Sequence, residues 1–312
     1  MTGDKPIVKD SPCTFHVDIY DKSGRINLFA SQLTVFGREW YDCRMEKDID
    51  TQENISDSGS GSGASAHGVS AQYGFVGSGH GLSGSTLKLF ACITMLIDHT
   101  GAAVVSTLIS VSRLRITDPD SYAKLQQLYQ WMRGIGRLAF PIFCFLIVEG
   151  YFHTRNVRKY CWRLFLFALI SELPFDYALK ASVPFWHKQN VYWTLLISLI
   201  CIALLDRLRG IPWVQFIAVA ASMSLANAMM TDYNFKGVFL IVMLYLFHDY
   251  RLYQCVAGAA AISWERWAPL SYILCFLYNG KRGLKLRYFF YVFYPGHLML
   301  LGIIRHMILA AH

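Results

Sequence analysis

The amino-acid sequence predicts an all-α membrane protein, a polytopic bundle of transmembrane helices. Only 16% of the residues are charged and 54% are hydrophobic, whereas soluble domains carry about 25% charge. From residue 87 onward, apolar runs follow one another with short polar breaks, which is typical of membrane-spanning helices. The net charge of +8 does not indicate nucleic-acid binding, because the Lys and Arg residues lie between apolar runs, where they set topology and meet anionic lipid headgroups.

Three regions are distinguished by composition. Residues 1–56 are polar and predict a small soluble extension, disordered or weakly β, because Phe15, Val17 and Ile19 alternate with polar residues. Residues 57–86 are dominated by Gly and Ser and predict a flexible linker. Residues 87–312 form the predicted transmembrane domain.

The transmembrane domain contains about nine candidate spans, with eight to ten as the range. They are roughly 87–111, 135–152, 160–180, 190–207, 212–230, 235–248, 252–264, 268–279 and 288–309. The even-numbered connections carry more Lys and Arg than the odd-numbered ones, which predicts that they and the N-terminal tail are cytosolic. The first connection opposes this bias, and the spacing of Leu125, Leu128 and Trp131 favours an interfacial amphipathic helix there.

The first span contains the most informative polar residues. Asp98 and His99 lie side by side within an apolar run, where ionisable groups are expensive and therefore indicate function. Lys88 precedes His99 by eleven positions, which is three helical turns, so both side chains share one face about 16 Å apart. The structural alternative is a Lys88 side chain that reaches the membrane surface and a packed His99.

Further polar residues recur in or beside the later spans. A structural interpretation is that Arg137 pairs with Glu149 or Glu172 and that the asparagines bridge helices. The functional interpretation is a buried site for a reaction or for transport. No metal site is predicted, because the eight cysteines lack CxxC spacing. The candidate pocket residues are Arg133, Arg137, Glu149, His153, Glu172, Asp176, Asn190, Asn279 and His297.

An ordered series of motifs carries a family resemblance. It includes KLFACITMLIDHTGA, LAFPIFCFLIVEGYFHTRNVRKY, SELPFD, QNVYWT, DYNFKGV, YNGKRG and YPGHLMLLG, between about residues 87 and 305. This series resembles the TraX family, the pilin N-acetyltransferases of conjugation systems. That family is similar to larger polytopic acyltransferases, in which a basic residue precedes a catalytic histidine by the spacing of Lys88 and His99, with Arg more common at the first position.

The resemblance implies acetyl-coenzyme A as donor, bound from the cytosol, and a pilin N-terminal amine as acceptor. Another protein amine or a glycan hydroxyl remains open as acceptor. His99 is then the expected general base, since the ordinary pKa of histidine lies near the operating pH. Lys88 and Asp98 complete the expected catalytic group. The expected contacts for the coenzyme phosphates are Lys88, Arg155, Arg158, Lys281 and Arg282.

Two other functions remain open from the sequence. Intramembrane charges and proline-broken spans also suit a secondary transporter in the cell membrane, although no related halves are evident. A non-catalytic assembly protein of a conjugation or secretion apparatus is the second alternative, although such a protein has no need of the Lys88 and His99 spacing.

Overall fold

All regular secondary structure in the described part of the chain is helical. The computed structural model describes residues 81–112, 114–180, 188–284 and 287–311, and no strand is formed within these ranges. The predicted all-α class is therefore confirmed for them. The predicted β element of residues 1–56 and the predicted linker up to residue 80 lie outside the described residues.

The helices follow the predicted spans closely. In chain order they are α1 (Gly84–Thr100), a π-helical segment (Gly101–Val105), α2 (Ser106–Val111), α3 (Leu114–Thr117), α4 (Pro119–Gly136), α5 (Ala139–Phe152), α6 (Val157–Leu179), α7 (Val191–Arg207), α8 (Pro212–Ala228), α9 (Asn234–Leu246), α10 (Arg251–Ala261), a 3₁₀ turn (Ala268–Leu270), α11 (Ser271–Phe276) and α12 (Arg287–Ala310).

Several helices begin at a capping side chain. Ser83 accepts a hydrogen bond from the backbone N–H of Thr86, so α1 begins three residues before the predicted boundary at residue 87. Asn156 and Asn190 cap α6 and α7 in the same manner. These side chains satisfy backbone N–H groups that a helix leaves without partners at its first turn.

Helix α4 occupies the first connection, as the spacing of its apolar residues predicts. Asp118 caps it by accepting a hydrogen bond from Ser121, and this interaction lowers the pKa of the Asp118 carboxyl below its usual value. Leu128 and Trp131 are half exposed on its outer surface. A turn separates α4 from α5.

Three helical stretches are long and apolar enough to cross a membrane: Gly84–Val111, Pro119–Phe152 and Phe289–Ala310. Large apolar side chains are also exposed on other helices, among them Trp213 and Phe216 of α8 and Ile273 of α11. Exposed apolar area of this extent is unfavourable in water and suits contact with lipid.

The helices pack with their ends in two groups. At one end, the backbone N–H of Gly84 donates to the carbonyl of Lys281, and Arg282 donates to the carbonyl of His153 at the end of α5. We call this the basic end, because it carries Lys88, Arg155, Arg158, Lys281 and Arg282. Since α1 rises about 1.5 Å per residue, His99 lies about 16 Å from Lys88 along the helix axis.

The buried core holds these helices together between the two ends. Its fully buried members include Phe145 of α5, Leu199 of α7 and Leu244 of α9. Helix α12 packs against α6 and α1, and thereby brings the end of the chain beside its first described helix.

Candidate functional site

A cavity of about 500 Å³ opens among the helix ends that lie away from Lys88. Its inner wall is formed by buried side chains that include Met95, Phe175 and Tyr294, and its outer edge includes the exposed Phe235 and Lys236. The volume lies within the range of about 300–1,000 Å³ that small-molecule sites occupy. We call this group of helix ends the cavity end. His99 lines the cavity, and the charged lining residues are Asp98, Arg133, Arg137, Lys180, Lys188, Asp232, Lys236 and Glu265.

His99 lines the cavity and is paired with His297 of α12. The Nδ1 atom of His99 lies 2.7 Å from the Nε2 atom of His297, and the two rings are stacked with an interplanar angle of 7°. The Nδ1 atom of His297 lies 2.7 Å from the carbonyl oxygen of Phe293. Two histidines predicted separately from the sequence therefore form one unit.

The hydrogen bonds of this pair determine where its protons lie. The Phe293 carbonyl can only accept, so Nδ1 of His297 carries hydrogen, and Nε2 of neutral His297 is an acceptor. His99 must then donate through Nδ1, which leaves its Nε2 atom with a lone pair. A lone pair on a ring that lines a cavity is what a general base requires.

Asp98 is held against the neighbouring helix α4. Its Oδ2 atom accepts from Nη1 of Arg133 at 2.7 Å, so the carboxylate is paired with α4. Gly136 permits this approach, because a Cβ atom built there would lie 2.1 Å from Cβ of Asp98. The Asp98–Arg133 pair fixes α4 across the cavity wall beside His99.

The outer part of the cavity contains two further ion pairs. Nε of Arg137 lies 3.5 Å from Oε2 of Glu265, and Nζ of Lys188 lies 2.8 Å from Oδ1 of Asp232. The structural interpretation that paired Arg137 with Glu149 or Glu172 is therefore wrong. The carboxylate that contacts Arg137 belongs to Glu265, which follows α10 at the cavity end.

Tyr233 lies between these pairs. Its ring stacks on Phe140, and burial, followed by the nearby Asp232 carboxylate, raises the pKa of its hydroxyl well above the usual value. Tyr233 therefore presents a neutral hydroxyl to the cavity near the Arg137 guanidinium.

Glu149 belongs to a different cluster, at the basic end. Its Oε1 atom accepts from Nη1 of Arg251 at 2.9 Å and lies 3.3 Å from Nε2 of His248. The Arg251 guanidinium also lies over the ring of Phe145. This buried network locks the end of α5 to the start of α10, and Glu149 does not line the cavity.

His153 and Asn279 also lie at the basic end. Nδ1 of His153 lies 2.7 Å from the carbonyl oxygen of Glu149, and Nδ2 of Asn279 donates to the carbonyl of Gly81. Neither residue lines the cavity. The structure thus separates Glu149, His153 and Asn279 from Arg133, Arg137 and His297, with which they were grouped.

Glu172 and Asn190 join α6 to α7 next to the cavity. Oε2 of Glu172 accepts hydrogen bonds from the amide of Asn190 and from Nε1 of Trp193, the latter at 3.1 Å. Asp176 is buried one turn further along α6. These residues position Val191 and Phe175, which do line the cavity.

The residues that were expected to bind the coenzyme phosphates lie at the basic end. Nζ of Lys88 lies 5.8 Å from the centroid of the Phe290 ring. Arg155, Arg158, Lys281 and Arg282 are exposed. None of the five has a carboxylate within 4 Å in the described ranges, and none lines the cavity.

Sequence reasoning missed several residues that line the cavity. Lys188, Asp232, Tyr233, Lys236 and Glu265 line the cavity but are not among the predicted pocket residues. All five lie in or beside odd-numbered connections between the predicted spans. Successive spans run in opposite directions, so these connections lie at the same end of the bundle, and this position could have grouped them.

Exposed apolar helices that enclose a polar, histidine-containing cavity are typical of a helical membrane protein. The chain belongs to the TraX protein family, whose model matches residues 83–305. It is also similar to a probable fimbrial assembly protein, FimC of serogroup H1, from Dichelobacter nodosus. That relative is 27% identical over 245 residues, which cover 69% of this chain and 92% of the relative. No solved structure matches the chain.

Proposed function

We propose that the protein is an integral membrane acetyltransferase, which transfers acetyl from acetyl-coenzyme A to an amine or hydroxyl acceptor. The observation that carries the proposal is the His99–His297 pair, in which the Nε2 atom of His99 retains a lone pair at the wall of the cavity. Membership of the TraX family supports the same activity.

The chemistry follows from that geometry. An acceptor nitrogen or oxygen attacks the thioester carbonyl, while Nε2 of His99 takes the proton from the attacking atom. His99 then carries a positive charge, and its Nδ1–H···Nε2 hydrogen bond to His297 strengthens as the charge develops. The sulfur of the coenzyme leaves with the electrons of the broken C–S bond and receives the proton from His99.

The cations of the basic end remain the proposed contacts for the donor's phosphates. Lys88, Arg155, Arg158, Lys281 and Arg282 lack neighbouring carboxylates in the described ranges, so they are available to an anionic ligand. Lys88 and His99 lie about 16 Å apart along α1. If the phosphates of the coenzyme bind beside Lys88, the arm that carries the thioester must extend over this distance to reach His99.

The proposed acceptor is the N-terminal amine of a pilin-like protein. Its support is the family match together with the relative named as a probable fimbrial assembly protein. The proposed setting is the inner or plasma membrane, with about nine spans and a cytosolic N-terminal tail, as the charge bias of the connections predicts.

The test is transfer by the purified protein in detergent or nanodiscs. Acetyl-coenzyme A and a peptide with a pilin N-terminus are expected to give a peptide heavier by about 42 mass units, and the same peptide with a blocked amine is expected to give none. His99→Gln is expected to abolish the product while the protein still inserts and purifies. Unchanged turnover in His99→Gln would remove His99 from the mechanism.

A non-catalytic role in assembly is the second candidate, and the name of the relative favours it. Pilus assembly in cells that carry His99→Gln separates the two. Normal, unacetylated pili in the presence of the variant, and none without the protein, would favour the assembly role.

A further inference from the structure

A second cavity of about 370 Å³ opens beside the first, where α4 meets the connection that follows α10. Three side chains line both cavities, namely those of Arg133, Arg137 and Glu265. The other lining residues belong to α4 or to that connection, and they are Gln130, Trp131, Gly134, Arg266 and Trp267. We call this second cavity the tryptophan cleft.

The two tryptophans of the cleft contact each other. Their rings lie edge to face with centroids 5.3 Å apart, and Trp131 is 51% and Trp267 36% exposed. Trp267 lies against the backbone of α4 at Gly134, since a Cβ atom built there would be 3.0 Å from Nε1 of the indole. The pair is therefore held in place and still presents an aromatic surface, against which an apolar group of a ligand packs well.

An ion pair lies between the two cavities. Nε of Arg137 is 3.5 Å from Oε2 of Glu265, and both side chains are more than a quarter exposed. A contact of this length between partly exposed groups contributes little to stability. The pair can therefore separate when a chain passes from the tryptophan cleft into the cavity that contains His99.

An acceptor that is a protein N-terminus stays attached to its polypeptide. The amine has to reach Nε2 of His99 inside a cavity of about 500 Å³, while the residues that follow it continue out of that cavity. The donor is proposed to enter at the basic end along α1, which leaves the cavity end for the acceptor. The tryptophan cleft lies at the cavity end and shares a wall with the cavity of His99.

The lining of the cleft suits a polypeptide better than lipid. Tryptophan and arginine are enriched where proteins contact one another. Gln130 and Arg266 are exposed, and Arg266 has no carboxylate within 4 Å in the described ranges, so both side chains can donate hydrogen bonds to main-chain carbonyl groups. A tryptophan that only anchors a helix among headgroups needs neither a cavity beside it nor a glycine beneath it.

We propose that the tryptophan cleft binds the polypeptide that follows the acceptor's N-terminal amine, with an apolar side chain of its first residues packed on Trp131 and Trp267. The inference deepens the proposed function and rests on it for the identity of the acceptor. It makes a peptide a better acceptor than a free amine of the same chemistry, because only the peptide fills the cleft.

Binding is tested without turnover by photocrosslinking of the wild-type protein in nanodiscs. The probe is the pilin N-terminal peptide with a blocked amine and with p-benzoylphenylalanine near its N-terminus, and mass spectrometry locates the attached residue. Crosslinks to residues 130–134 or 265–267, removed by an excess of unlabelled peptide, are expected. Crosslinks found only elsewhere, or none at all, overturn the proposal.

Acceptor length separates the cleft from the cavity of His99. Trp131→Ala and Trp267→Ala are each expected to raise KM for the pilin N-terminal peptide about tenfold and to change kcat by less than about twofold. The matched substrate is the first residue of that peptide as an amide, which lacks the residues that the cleft is proposed to hold, so its KM is expected to rise far less. Trp213→Ala, at an exposed tryptophan of α8 outside both cavities, is the control.

The outcomes are distinct. An unchanged peptide KM in both variants overturns the proposal, and a melting temperature lowered in nanodiscs but not in detergent would then assign the two tryptophans to the lipid surface. Equal increases in KM for peptide and amide overturn it as well, because the tryptophans would then act through the cavity of His99. Crosslinking in the cleft by a protein that transfers no acetyl would refute the proposed function and leave the peptide site standing.

Discussion

His99 and His297 are joined by a 2.7 Å contact between Nδ1 of the first ring and Nε2 of the second. The contact links α1 to α12, which are the first and last long helices of the described chain. The carbonyl of Phe293 fixes a proton on Nδ1 of His297, which leaves Nε2 of His297 as the acceptor for His99. The orientation of the His99 ring therefore depends on His297, which does not itself line the cavity. His297 is thus a positioning residue for the proposed base.

Replacement of His297 by leucine is expected to lower kcat about ten- to a hundredfold, because Nδ1–H of His99 loses its acceptor and the ring its orientation. His297→Gln, whose carbonyl oxygen accepts a hydrogen bond, is expected to recover part of that loss. Rates are measured at equal amounts of folded protein. His306→Leu is the control, since His306 stacks on Tyr177 of α6 outside the cavity. Equal rates for His297→Leu and wild type would exclude the positioning role.

Replacement of Gly136 by alanine is expected to destabilise the protein by about 1–3 kcal/mol, because the new methyl group overlaps the Asp98 side chain. The melting temperature in detergent measures the effect. Gly296→Ala is the matched control, since a Cβ atom there meets nothing within 4 Å and alanine favours a helix. A Gly136→Ala protein as stable as Gly296→Ala would show that Asp98 does not need the close approach.

Replacement of Glu149 by glutamine is expected to destabilise the fold by about 3–5 kcal/mol, because the buried Arg251 loses its counter-charge. The acceptor KM of the protein that remains folded is expected to be unchanged, since Glu149 lies outside the cavity. Asp249→Asn, at an exposed neighbouring acid, is the control for stability. A raised acceptor KM with normal stability would instead indicate that Glu149 contributes to the acceptor site, as the sequence predicted.

Replacement of Lys88 by alanine is expected to weaken binding of acetyl-coenzyme A more than it affects folding, because Lys88 has no carboxylate partner whose charge it balances. Titration of the coenzyme, with the melting temperature measured in parallel, tests this. Lys124→Ala serves as control. Equal affinities in Lys88→Ala and wild type would exclude Lys88 as a contact for the donor phosphates.

The sequence alone predicted the helices well, because apolar runs and capping residues such as Asn156 and Asn190 act within one segment. It also singled out Asp98, His99 and His297 as candidates, since an ionisable side chain in an apolar run is conspicuous without any knowledge of packing. The contact between His99 and His297 depends on the packing of α1 against α12, which helical periodicity does not specify.

The partners of Arg137 and Glu149 could not be predicted for the same reason. Periodicity defines the face of a helix that carries a charge but not the neighbouring helix that meets it. Arg137 had two plausible carboxylates in adjacent spans, yet Glu265 reaches it from a distant connection. Glu149 likewise meets Arg251 and His248, which lie about a hundred residues later.

The π-helical segment Gly101–Val105 follows directly on α1, and its wider turn is closed by a bond from the N–H of Ser106 to the carbonyl of Gly101. Such a turn holds one more residue than an α-helical turn. Deletion of Ala103 is therefore expected to rotate Ser106–Val111 by about 100° relative to α1, because each residue of an α-helix turns by that angle. The bundle wall beyond the imidazole would then present different side chains to its neighbours, while His99 keeps its place.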